Sequence, residues 1–145
     1  MNDQHNAAYA ALLLRLSLGI MILAHGLLKV FVFTPAGTAG FFASLGLPGW
    51  LAYPTIGIEI FGGILLIVGL QSRLVALALV PILIGSLWAH SGNGWLFSNP
   101  NGGWEYSLFL TVAALTQILL GDGAYSLGSL MPARKQAYQG RSASA

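Results

Sequence analysis

His25, Lys29 and Glu59 lie inside otherwise apolar stretches of this 145-residue sequence, and His90 and Glu105 stand at the edges of two more. A carboxylate, an imidazole and an ammonium brought together can move a proton or hold the carbonyl oxygens of a ligand. His25 and Lys29 are i and i+4, so on a helix they share a face. Arg15 lies 14 residues before Lys29. At 100° per residue it falls about 40° away, on the same broad stripe but toward the other end of the helix. Each of these charges costs about 2.5–3.5 kcal/mol at the centre of a bilayer, so they are expected to face inward and pair. Glu59 has two sets of partners open to it, His25 with Lys29 or Arg15, and depth favours the first. Arg15 could instead hold a backbone carbonyl. For Lys29 the alternative is snorkelling to the interface, and for His90 and Glu105 an ordinary place at the water's edge.

The elements that must position these groups follow from composition. Six Lys and Arg, four Asp and Glu, and 56% hydrophobic residues give a surface too poor in charge to face water on all sides. Soluble domains carry about 25% charged residues against 7% here. Lipid is therefore the solvent, and only helices or closed barrels satisfy their backbone in it. The apolar runs are continuous rather than alternating, which excludes a barrel. Spans are predicted at residues 7–33, 51–70, 74–90 and 106–120, with Pro81 as an expected kink in the third. The first run, interrupted by Arg15 and preceded by Asp3, reads as a retained anchor rather than a cleaved signal.

Between the first two spans, Thr34 to Trp50 is uncharged and glycine-rich; it predicts a loop on the bilayer or a short interfacial helix around Ala39 to Leu45. Ser91 to Trp104 is a cluster of turn residues. Trp50, Tyr53, Trp88, Trp95 and Trp104 fall near one end of the spans, as an interfacial aromatic belt does. Arg73, Arg134, Lys135 and Arg141 gather at the opposite end, so the positive-inside bias places both termini in the cytoplasm. Residues 131–145 form a polar tail expected to be disordered. Gly62, Gly63 and Gly69 are predicted to share the Glu59 face of the second span and to let one neighbour approach closely. Gly57 lies off that face.

Composition also narrows the chemistry. With no cysteine there is no disulfide, thiolate metal site or dithiol redox pair, so any redox role needs a bound molecule or a partner. No basic patch supports nucleic-acid binding. The spacing of His25, Glu59, His90 and Glu105 matches no metal-ligand motif, and no metal is expected.

The sequence resembles the DoxX family of small four-span bacterial membrane proteins. The matching elements are Arg15 with Gly19, His25-Gly26 with Lys29, and Gly57-Ile58-Glu59 with Gly62-Gly63. Gly69-Leu70-Gln71-Ser72-Arg73, Glu105, and Gly121-Asp122-Gly123-Ala124-Tyr125-Ser126-Leu127 complete the set, over about Leu12 to Leu127. Asp122 replaces a proline common in the family's closing motif, and Gly128 replaces an Asp. The resemblance implies an all-α four-helix bundle in the bacterial inner membrane and a setting in quinone or oxidative-stress chemistry.

The expected function is a redox-associated subunit with no intrinsic cofactor, binding a quinone or similar small apolar molecule in the outward half of the bundle. It would serve an oxidoreductase complex rather than act as a stand-alone enzyme. His25, Lys29, Glu59, His90, Glu105, Trp88 and Trp104 are the candidate ligand residues, with Arg15 and Arg73 in structural ion pairing. A membrane anchor or assembly partner, a small transporter-like component and a homo-oligomer are the competing expectations.

Overall fold

The computed structural model describes residues 3–130, and every regular element there is helical. Helix α1 runs Asp3–Phe31, α2 Pro35–Ser44, α3 Ala52–Val68, α4 Ser72–His90, α5 Glu105–Leu120 and α6 Leu127–Leu130. The expected tail at 131–145 lies outside the described residues.

Four helices close a ring in which α1 packs on α3, α3 on α4, α4 on α5, and α5 back on α1. Leu18, Ile22, Leu66, Leu79, Leu83 and Leu110 fill its centre. On α1 the buried positions are Ala11, Arg15, Leu18, Gly19, Ile22 and Gly26, a single stripe at helical spacing. The opposite faces expose Phe31, Phe61, Leu77, Phe109 and Leu119, the outward apolar surface that lipid requires. By length and apolarity three segments can cross a bilayer: Asp3–Phe31, Gly49–Val68 and Ser72–Asn93. The fourth, α5, has 16 residues and rises ~24 Å, short of the ~30 Å hydrocarbon core.

The uncharged connection after α1 is a helix rather than a loop. Thr34 caps it by accepting the Gly37 amide at 3.1 Å, and Pro35 opens its first turn. It begins at Pro35, earlier than the expected Ala39, because that cap lies upstream of the apolar residues that drew attention. Helix α4 continues without a break through Pro81.

The glycines do not share one neighbour as expected. A Cβ on Gly63 would come within 2.8 Å of the Leu23 amide nitrogen on α1, whereas one on Gly62 would meet Val75 and Leu79 of α4. Adjacent helical positions point about 100° apart, so one pair of glycines serves two interfaces. Gly69 lies beyond the helix altogether: at φ 73° it closes α3, and Leu70 N bonds back to Leu65 O at 2.9 Å. Gly57 has nothing within 4 Å of where its Cβ would stand.

Candidate functional site

The α1–α3 contact builds the first part of the site. Gly26 lets α3 come so close that a Cβ there would lie 3.1 Å from the Cβ of Glu59. The Glu59 carboxylate, on a residue only 4% exposed, thereby lies alongside α1. Lys29, one turn further on, reaches it: Nζ donates to Oε1 at 2.7 Å and to Oε2 at 2.8 Å. Of the pairings open to Glu59, the structure forms the one with Lys29. Two opposite charges at this separation cancel within the bundle, so neither faces hydrocarbon alone.

His25 stands one helical turn before Lys29 on α1. Its Nδ1 is 2.8 Å from the Met21 carbonyl oxygen. A carbonyl only accepts, so Nδ1 carries the hydrogen and the neutral ring keeps its lone pair on Nε2. The ring stacks on Tyr106 of α5, with centroids 5.6 Å apart and planes 25° from parallel. Tyr106 packs against the central apolar cluster, and its hydroxyl is buried with no hydrogen-bond partner among the described residues. Sequence reasoning missed this residue. A tyrosine two positions after the interfacial Trp104 reads as one more belt aromatic, and only the fold turns it inward.

On its other side Tyr106 lines an open groove of about 490 Å³ along the first turns of α5, with Trp95, Phe97, Glu105, Leu108, Phe109 and Val112. Glu105 is its one charged residue, and its Oε1 accepts the Phe97 amide at 2.9 Å, which folds the 91–104 connection onto the helix start. Trp95 packs edge-on against Trp104 at 4.5 Å. Of the sequence-predicted ligand residues, only Glu105 lines this groove. Trp88 is exposed on α4, and His90 is tied by Nδ1 to the Ser86 carbonyl at 2.8 Å. Among the described residues no three His, Cys, Asp or Glu side chains gather as metal ligands.

At the other end of the bundle Arg15, 1% exposed, takes the backbone option. Nη1 donates to the Asp122 carbonyl at 2.9 Å, and Nη2 to those of Ala124 and Tyr125, each at 3.4 Å. Arg73 donates to the Leu119 carbonyl at 3.3 Å. Both arginines thus grip main chain at the end of α5. Ser72 N donates to Asp122 Oδ1 at 2.8 Å, and Gly128 N to Gly69 O at 3.0 Å. The two glycine-bounded motifs at 69–73 and 121–127, fifty residues apart in sequence, are therefore one junction, closed around Arg15.

A ring of apolar helices with its ions turned inward defines a small polytopic membrane protein. The chain belongs to the DoxX family, whose model matches residues 10–92. It is similar to a Bacillus subtilis (strain 168) protein named "Putative oxidoreductase CatD", 42% identical over 76 residues. That match covers 52% of this chain and 55% of the relative, so the chain spans about half the length of the curated relative it matches. No solved structure matches significantly.

Proposed function

We propose that the chain is a redox-associated membrane subunit that holds a quinone, or a similar small apolar molecule bearing carbonyl oxygens, in the groove beside Tyr106. The carrying observation is that Tyr106 belongs to two sites at once: it lines the groove and stacks on His25, next to the Lys29–Glu59 pair. Trp95, Phe97 and Phe109 supply flat apolar surface for a ring. The partnerless Tyr106 hydroxyl is a donor suited to a ligand carbonyl once the ring turns toward the groove. A bound quinone would carry electrons between a partner oxidoreductase and the membrane pool. The open side of the groove runs along the exposed face of α5, so a membrane-soluble molecule would enter from lipid. With both termini cytoplasmic in a bacterial inner membrane, as the Lys and Arg distribution favours, the site lies in the outward leaflet.

The test is a titration of the purified protein in nanodiscs with decylubiquinone, followed by tryptophan fluorescence. Saturable quenching is expected, weakened about tenfold by Tyr106→Ala, which corresponds to ~1.4 kcal/mol. Absence of saturable binding, or binding in Tyr106→Ala and Phe109→Ala as tight as in the unaltered protein, would remove the reading. A second reading, an anchor or assembly partner, is favoured by one observation: both Glu59 oxygens are already engaged by Lys29. It predicts that Glu59→Gln lowers stability and partner recovery while leaving decylubiquinone binding unchanged.

A further inference from the structure

Where α1, α4 and α5 meet the 121–126 segment, three polar side chains are almost entirely out of contact with solvent: Arg15 at 1% exposure, Ser72 at 0% and Gln117 at 0%. Each uses one polar group on the same short stretch of chain. Arg15 Nη1 donates to the Asp122 carbonyl at 2.9 Å, Ser72 N to Asp122 Oδ1 at 2.8 Å, and Gln117 Nε2 to the Gly121 carbonyl at 2.6 Å. Each then has a second polar atom that is buried and has no hydrogen-bond partner among the described residues: Arg15 Nε, Ser72 Oγ and Gln117 Oε1. Leaving such an atom unbonded forfeits its hydration with nothing in return, and the penalty grows where the surroundings are apolar. Three such atoms gather at one junction, and each calls for a partner that the neighbouring side chains do not supply.

The chemistry of the three atoms selects what completes them. Arg15 Nε–H only donates, Gln117 Oε1 only accepts, and a serine hydroxyl does either. The Gln117 amide orientation is fixed, because the group facing the Gly121 carbonyl must be the donor. An anion would satisfy Arg15 but leave Gln117 Oε1 facing a second acceptor, beside the Asp122 carboxylate. A metal cation would reverse the conflict by facing the guanidinium. A small neutral molecule that both donates and accepts fits all three. We propose that this junction is a built hydration site, in which buried water bridges Arg15, Ser72 and Gln117 and so ties α1, α4 and α5 to the closing turn. Buried waters with about three bonds to otherwise unpaired groups are ordinary parts of protein interiors. The site is independent of the groove at the other end of the bundle.

The experiment is a high-resolution structure of the full chain in lipid nanodiscs, paired with thermal unfolding of Ser72→Ala, Gln117→Met and the double variant. Solvent density within 3.2 Å of at least two of the three atoms is the expected result, since that is the outer range of a hydrogen bond. Direct bonds among the three atoms, or bonds from residues 131–145 to them, would overturn the proposal. In unfolding, a shared water makes the losses non-additive, so the double variant melts no more than a degree or two below the worse single one. Additive losses would mean that the two side chains do not share a bridge, and the proposal would fall.

Discussion

Helix α1 carries two cations, Arg15 near its middle and Lys29 in its last turn, and the bundle neutralises the two in different ways. Lys29 meets a carboxylate carried on a neighbouring helix, whereas Arg15 meets three carbonyls of a single turn. The ammonium is a compact charge on a flexible stem, and its side chain remains 20% exposed. It needs one acceptor at the right depth and tolerates variation around it. The guanidinium is a planar fork whose donors point in fixed directions. It needs a main chain already shaped to receive it, and glycines supply that shape. Gly69, Gly121 and Gly123 all have positive φ. A Cβ on Gly69 would overlap the guanidinium itself. Positive-φ glycines thus shape the turn that receives Arg15 near the Asp122 carboxylate, whereas Lys29 meets its carboxylate across the close α1–α3 contact at Gly26.

That contrast is broken most severely at Gly69. Gly69→Ala combines a left-handed backbone with a direct clash, and should cost about 3 kcal/mol or more. The readout is a lowered unfolding temperature in nanodiscs and poor recovery of folded protein. Next comes Arg15→Lys, which keeps the charge but loses the fork; a loss of about 2 kcal/mol is expected, and a neutral result would mean that charge alone matters there. Glu59→Gln removes the carboxylate while keeping its shape. Because Lys29 is partly exposed and can extend toward water, the expected loss is smaller, about 1–2 kcal/mol. The smallest effect belongs to Gly57→Ala. With open space around it, the added methyl should raise helix stability by about 0.5–1 kcal/mol, and a large loss would reveal a packing partner at that face.

Much of this was legible in the sequence, and the boundary between read and unread is physical. The four apolar runs followed from hydropathy, and depth favoured His25 with Lys29 over Arg15 as partners of Glu59, of which the structure forms the Lys29 pair. The i to i+4 spacing of His25 and Lys29 placed them on one face correctly. Periodicity gave only a broad face for the glycines, so it merged Gly62 and Gly63, which the packing separates toward α4 and α1. Tyr106 and Gln117 carried no signal, since their significance lies in buried atoms with no partner among the described residues. Arg15 offered two chemically sound partners, and the choice was made by a turn more than 100 residues away, where the Asp122 carbonyl receives Nη1. Glu105 read either as a candidate ligand group or as an ordinary residue at the water's edge, and it is engaged with the Phe97 amide. Neither partner lay close enough in sequence to be inferred from spacing.

Lys29 and Glu59 are held by one another rather than merely tolerated inside the bundle. A double-mutant cycle on Lys29→Met and Glu59→Met, read by equilibrium unfolding in a fixed lipid composition, tests it most directly. A coupling of about 1–2 kcal/mol is expected, with the double variant more stable than the sum of the single losses allows. Strictly additive losses would contradict it, because they would mean that the ammonium and the carboxylate each find their stabilisation elsewhere.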